Sequence, residues 1–137
     1  MGDTPKVIKR GLSVVMPVFN EERTVEQIIR LVLRQELTKQ LIVVDDCSTD
    51  RSWQIIVGLQ NELGFLAIRH ELNKGKGACL RSASPLISEQ VMIIQDADLE
   101  YHPDCYERLI KPVLDGRADV VYGSRFQTGD ERRILYF

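Results

Sequence analysis

The chain has 137 residues, of which 44% are hydrophobic and 28% charged, so it can bury one substantial core and we expect a single domain. Its formal net charge of -2, with both signs interspersed, provides no basic surface of the kind that nucleic-acid binding requires. Three widely spaced cysteines argue against a disulfide framework or a zinc site and favour a reducing, cytosolic environment.

Short apolar runs alternate with helical patterns along the chain. In chain order the predicted elements are strand 12–18, helix 25–33, strand 41–44, helix 50–63, strand 65–68, helix 76–88, strand 91–94, helix 106–114 and strand 120–122. Continuous rather than alternating hydrophobic residues are typical of strands buried on both faces of a parallel sheet. The sequence therefore predicts an α/β fold, with a mostly parallel, doubly wound sheet and right-handed crossovers.

Functional residues are expected after the strands, because ligands of such sheets bind beyond the carboxyl ends of the strands. Four of the five predicted strands end in acidic residues or in a glycine-lysine loop. The five segments are PVFNE at 17–21, DDCSTD at 45–50, NKGKG at 73–77, DADLE at 96–100 and GSR at 123–125.

Asp96 and Asp98 follow the most apolar predicted strand. Two carboxylates spaced in this way can converge on one hard cation, Mg²⁺ or Mn²⁺, which can bridge the phosphates of a nucleoside diphosphate. Glu100 can add a third oxygen. The alternative is a solvated turn that caps the next helix, which is common for Asp at a strand end. Acidic residues at the other strand ends favour the metal site.

Asp45 and Asp46 precede Ser48, Thr49 and Asp50, which can cap the next helix. Two neighbouring acids are costly to bury unless hydrogen-bond donors reach them. We expect a nucleobase or a ribose hydroxyl to be such a donor to Asp46, and a purely structural role is the alternative.

The remaining polar segments give weaker signals. The NKGKG segment matches neither GxxxxGK[ST] nor GxGxxG, so an exposed, glycine-rich helix entry explains it equally well. Arg125 can reach a phosphate or simply lie at the surface. His70 and His102 are interpreted as a strand-end and a helix-entry residue, without a catalytic role.

The order and spacing of these segments resemble the family 2 glycosyltransferases of the GT-A fold, and within them the dolichol-phosphate mannose synthases and related polyprenyl-phosphate hexosyltransferases. The likeness extends from about residue 12 to residue 126. The matching segments are SVVMPVFNE at 13–21, VVDDCSTD at 43–50, NKGKGA at 73–78, DADLE at 96–100 and GSRF at 123–126.

The resemblance implies roles for individual residues. The nucleotide-binding residues that it implies are Pro17, Phe19, Glu21, Val44, Asp46, Asp96, Ala97 and Arg125. The implied direct metal ligands are Asp98 and Glu100, and the implied catalytic residues are Asp96, Asp98 and Arg125. Phe19 stands where these enzymes often have Tyr, and Glu100 where they often have Gln, so the resemblance leaves the base and the sugar open.

The activity that the resemblance implies is metal-dependent, inverting transfer of a hexose from a nucleotide sugar, of the GDP-mannose or UDP-glucose type, to a dolichyl or undecaprenyl phosphate. A phosphate acceptor, with a second pKa of about 6, is already ionised near pH 7 and needs no general base. Two alternatives are transfer to a sugar hydroxyl in polysaccharide or cell-wall synthesis, which requires a base beyond Phe137, and nucleotide binding without catalysis.

The expected cellular setting is the cytoplasmic face of a membrane. No apolar run approaches the roughly 18 residues of a spanning helix, so we expect membrane contact to be peripheral. Family members continue past the GSR motif into helices that meet the membrane. We therefore expect residues 1–137 to be a donor domain that is truncated at its carboxyl end, with the acceptor site in the part that follows.

Overall fold

The computed structural model describes residues 8–121, in which four parallel strands form one sheet flanked by helices. The strands are β1 (Leu12–Val18), β2 (Thr38–Asp45), β3 (Leu66–Arg69) and β4 (Val91–Ile94). The helices are α1 (Val25–Arg34), α2 (Ser52–Leu63), α3 (Lys76–Ala83) and α4 (Tyr106–Leu114). This architecture confirms the predicted α/β class with a parallel sheet.

Two hydrophobic cores cover the two faces of the sheet, and β1 contributes to both. Val14 and Met16 pack with residues of α1, α2 and α4, whereas Val15 packs with residues of α3. Successive side chains of a strand point to opposite faces, so burial of both faces requires an unbroken apolar run. The continuous pattern of residues 12–18 has this cause.

Two predicted elements depart furthest from those observed, and the others differ at their ends by at most three residues. The predicted helix 76–88 ends at Ala83, and a single 3₁₀ turn, Ser84–Leu86, follows it. Pro85 explains the change, because proline has no N–H for an α-helical hydrogen bond. The predicted fifth strand is not formed at residues 120 and 121, where the Val120 side chain is exposed. Tyr122, its last residue, lies outside the described part of the chain.

The strand order is β3-β2-β1-β4, so the chain progresses outward from β1 to β3 and then returns to the other side of β1. The direction of winding therefore reverses between β1 and β4. In open α/β sheets the carboxyl ends of the strands at such a switch point form the ligand-binding crevice. The helices within residues 8–121 lack the length and the continuous apolar surface that spanning a bilayer requires.

Candidate active site

An open cleft of about 190 Å³ lies at the switch point. Backbone hydrogen bonds bring its acidic segments to either side of β1, since the Asp46 amide donates to the Val18 carbonyl and the Gln95 amide to that of Val15. The cleft is lined by Pro17, Val18, Phe19, Glu21, Asp46, Lys76, Cys79, Asp96, Ala97 and Asp98. Seven of these ten residues were predicted site residues.

Three predicted site residues do not line this cleft. The Val44 side chain is fully buried in the core with residues of α3 and does not reach the cleft. Glu100 is exposed, and its amide donates to Asp98 Oδ1 across 3.1 Å. Arg125 lies outside the described residues.

The loops that follow β1 and β2 are hydrogen-bonded to each other. The Asn20 amide donates to Ser48 Oγ, while Asn20 Oδ1 accepts from the amides of Thr49 (2.8 Å) and Asp50 (3.3 Å). Asn20 has a φ of 53°, a left-handed conformation that Asn tolerates better than most residues. This pairing fixes the segment that presents Phe19, a residue that is 46% exposed and lines the cleft.

Asp45 has a structural environment. It is fully buried and accepts hydrogen bonds from the amide and the hydroxyl of Ser48, and Arg69 Nε lies 3.4 Å from its Oδ2. A buried acid requires hydrogen-bond donors, and Ser48 and Arg69 of the chain itself provide them for Asp45.

Asp46 is 4% exposed, and it also has three donors from the chain. Its Oδ1 accepts from the amide of Lys74 (2.9 Å) and lies 2.8 Å from His70 Nδ1, and its Oδ2 accepts from the amide of Gly75 (2.8 Å). Burial opposes the charge on Asp46, but the hydrogen bonds from His70 and the two amides outweigh it and lower the pKa of the carboxyl. Asp46 is therefore ionised near neutral pH.

The Asp96–Asp98 turn is held by buried polar groups behind it. The Gln95 side chain, 1% exposed, donates to the carbonyl oxygens of Tyr101 (2.9 Å) and Asp96 (3.2 Å) and accepts from the Tyr106 hydroxyl (2.7 Å). The Thr24 hydroxyl donates to the carbonyl of Ala97. The turn is thus fixed at its start, middle and end.

The cleft is strongly acidic. Four carboxylates line it, and the one cation among the described lining residues is Lys76, whose Nζ lies 2.6 Å from Asp96 Oδ1. Burial raises the pKa of Glu21, and the nearby charge of Asp98 raises it further. Carboxylate oxygens are the ligands that Mg²⁺ and Mn²⁺ prefer, so this arrangement fits the binding of either ion.

A second group, Asp46, His70 and Cys79, has ligand atoms within 4.8 Å of one another. It fits a metal less well, because both ring nitrogens of His70 already have hydrogen-bond partners. Burial also raises the pKa of the Cys79 thiol to about 11, and the nearby carboxylates add to this effect.

His70, Lys76 and Gln95 were not predicted as site residues, although Lys76 lies in the NKGKG segment. All three follow a strand or begin the next helix, so the same strand-end rule could have identified them. What the sequence does not contain is the choice of partner: His70 is 24 residues from Asp46, and Lys76 is 20 residues from Asp96.

The parallel sheet and the acidic cleft at its switch point define a Rossmann-like, ligand-binding α/β domain. Residues 13–136 match the sequence profile of glycosyl transferase family 2. The chain belongs to that family and has the fold of the GT-A glycosyltransferases. The resemblance seen in the sequence is thereby confirmed.

Similar proteins include two enzymes that are named for lipid-phosphate chemistry. The chain is 30% identical to the dolichol-phosphate mannosyltransferase of Pyrococcus furiosus over 120 residues, which are 86% of this chain and 34% of the relative. It is 32% identical to the undecaprenyl-phosphate 4-deoxy-4-formamido-L-arabinose transferase of Photorhabdus laumondii over 118 residues, 82% of this chain and 36% of the relative. The chain thus spans about a third of either relative.

A solved structure with the same fold is glucosyl-3-phosphoglycerate synthase from Mycobacterium tuberculosis, in complex with Mn²⁺, UDP and phosphoglyceric acid. The TM-score is 0.63 at 29% identity, and the match covers 77% of this chain and 39% of that chain.

Proposed function

We propose that this chain binds the nucleotide-sugar donor of an inverting glycosyltransferase that transfers a hexose to a polyprenyl phosphate. The observation that supports donor binding most strongly is the cleft, where four carboxylates face one ammonium at the switch point of the sheet. The names of the two lipid-phosphate relatives support the acceptor.

In this proposal the nucleoside lies between the ends of β1 and β2. Pro17 and the exposed face of Phe19 contact the base or the ribose, and aromatic rings offer large contact areas at a small entropic cost. Asp46, an ionised carboxylate, accepts from an N–H group of the base. Of the four common bases, guanine and uracil have a ring N–H at their pairing edge, which agrees with a GDP or UDP donor.

The diphosphate lies beside the Asp96–Asp98 turn. Asp98 and Glu100 are the proposed ligands of Mg²⁺ or Mn²⁺, which supplies charge neutralisation for the departing diphosphate. Manganese and UDP occur together in the complex of the M. tuberculosis synthase. Lys76 at the cleft and the predicted Arg125 add positive charge where negative charge develops, so they act on the transition state.

The reaction is attack of an acceptor phosphate oxygen on the anomeric carbon, with breakage of its bond to the diphosphate and inversion at that carbon. The acceptor is already an anion near pH 7, so no residue of this chain has to remove a proton. A sugar hydroxyl, by contrast, has to lose a proton to a general base when it attacks.

The test is transfer of radiolabelled hexose from GDP-mannose, UDP-glucose and UDP-N-acetylglucosamine, with Mn²⁺ present, to polyprenyl phosphate in detergent micelles. It is run on this chain and on the full product of its gene, with an oligosaccharide acceptor in parallel. The proposal expects label in the lipid product from one donor, lost in Asp98→Asn. Label only on an oligosaccharide acceptor would refute the lipid acceptor, and label from every donor in the presence of EDTA would refute the metal.

A further inference from the structure

The His70 ring is buried between two polar side chains just beyond β3. Its Nδ1 lies 2.8 Å from Asp46 Oδ1, and its Nε2 lies 2.7 Å from Ser82 Oγ on α3. His70 is 6% exposed. The imidazole therefore joins the end of β2 to α3 through side chains alone, and it does not itself line the cleft.

The hydrogen-bond network assigns the proton positions. Asp46 already accepts from two backbone amides, and an ionised carboxylate can only accept, so the proton between Asp46 and His70 belongs to Nδ1. Ser82 can then donate its hydroxyl hydrogen to Nε2. In this tautomer His70 Nδ1 donates to Asp46, and His70 Nε2 accepts from Ser82. Each of the two contacts then joins one donor to one acceptor.

The three donors also limit what Asp46 can do next. A carboxylate has about four acceptor positions, and His70, Lys74 and Gly75 use three of them. With the donors of the described residues counted, about one position is left for a ligand in the cleft that Asp46 lines. Two of the three donors are backbone amides, one to each carboxylate oxygen, and His70 is the only side chain among the three. His70 is therefore the donor that a substitution can remove.

We infer that His70 is a positioning residue for nucleobase selection: it fixes the rotation of the Asp46 carboxylate so that its one remaining acceptor position faces the cleft. The inference rests on the proposed function, in which Asp46 contacts the base. His70 acts through Asp46 and touches neither the donor nor the acceptor.

The experiment measures base preference rather than activity. Calorimetry gives the Kd of the chain for GDP, UDP, ADP and CDP with Mn²⁺, and for inorganic pyrophosphate as a ligand that has no base. In His70→Ala we expect the ratio between the preferred and the other nucleotides to fall about tenfold, the scale of one charge-assisted hydrogen bond, with pyrophosphate affinity unchanged. In His70→Asn the amide N–H replaces Nδ1–H, so most of the preference should return.

A double variant shows whether His70 acts through Asp46. In an Asp46→Ala background, His70→Ala should produce no further change in base preference. A second, independent measurement is the ¹⁵N NMR spectrum of the parent protein, which should show the His70 proton on Nδ1.

The outcomes separate this inference from the proposed function. Base preference in His70→Ala equal to that of a selective parent, or a His70 proton on Nε2 alone, would overturn the positioning role and leave the proposed function intact. Absence of nucleoside diphosphate binding by the parent would instead overturn the proposed function. If His70→Ala does not fold, His70→Asn and the NMR spectrum decide.

Discussion

Removal of the Tyr106 hydroxyl should weaken both the fold and the Asp96–Asp98 turn, the proposed metal site. In the structure this hydroxyl donates across 2.7 Å to Gln95 Oε1, and both residues are at least 98% buried. Tyr106→Phe keeps the ring and leaves a buried amide oxygen without this donor. Because the other end of the Gln95 amide holds Asp96 and Tyr101, the loss is transmitted to the Asp96–Asp98 turn.

The expected magnitude follows from burial. A buried polar group that loses its partner costs about 1 to 3 kcal/mol, whereas replacing both partners by apolar groups of similar shape can be nearly neutral. Tyr106→Phe should thus lower the free energy of unfolding by about 1 to 3 kcal/mol. Gln95→Met should cost at least as much, because it also removes the donors to Asp96 and Tyr101.

The assay is urea unfolding followed by circular dichroism, with the two single variants and the double variant as a cycle. The double variant should be more stable than the sum of the single losses predicts, by about 1 kcal/mol or more. Strict additivity, or a Tyr106→Phe loss under about 0.5 kcal/mol, would show that the hydrogen bond does not support the turn.

Three further predictions concern Asn20, Glu21 and Cys79. Asn20→Ala should be about 1 kcal/mol less stable than Asn20→Gly in urea unfolding, because alanine is strained at a φ of 53°; equal losses would remove the conformational argument. The raised pKa of Glu21 means that the fold favours the protonated carboxyl. In EDTA, the free energy of unfolding of the parent should therefore fall relative to that of Glu21→Gln as pH rises above 4.5, and parallel pH profiles of the two proteins would contradict this. With a pKa of about 11 and 1% exposure, Cys79 should react with a thiol reagent at pH 8 only after unfolding, later than the partly exposed Cys47 and Cys105; equal rates would refute its burial.

The sheet was predictable from the sequence because a strand buried on both faces requires an unbroken run of apolar residues. Residues 12–18 and 91–94 are predicted and observed with the same bounds. The second strand is longer in the structure than predicted and extends over Thr38–Asp45. Its first three residues are polar, and Lys39 among them is exposed, so the apolar run that indicated the strand begins only at Leu41. Strand ends at the surface obey weaker constraints than strand centres, so their bounds are less certain from sequence.

The site was predictable as a set of segments and less so as a set of contacts. The strand-end rule placed Asp46, Asp96 and Asp98 together, and the cleft contains all three. The donors to Asp46 were expected from a ligand, yet three come from the chain. That difference arises because the amides of residues 74 and 75 reach Asp46 only after β3 and α3 are packed, and no local pattern encodes that approach.

Calorimetry can show whether the cleft binds a nucleoside diphosphate together with a divalent ion. GDP and UDP are titrated into the parent, Asp98→Ala and, as a matched control, Asp115→Ala, which removes an exposed acid at the end of α4, outside the cleft. With Mn²⁺, the parent and the control should bind the preferred of the two nucleotides with equal affinity. Asp98→Ala with Mn²⁺, and the parent in EDTA, should bind that nucleotide at least about tenfold more weakly, as expected for loss of a metal ligand. Equal affinity in Asp98→Ala, or undiminished affinity in EDTA, would contradict metal-dependent nucleotide binding in the cleft.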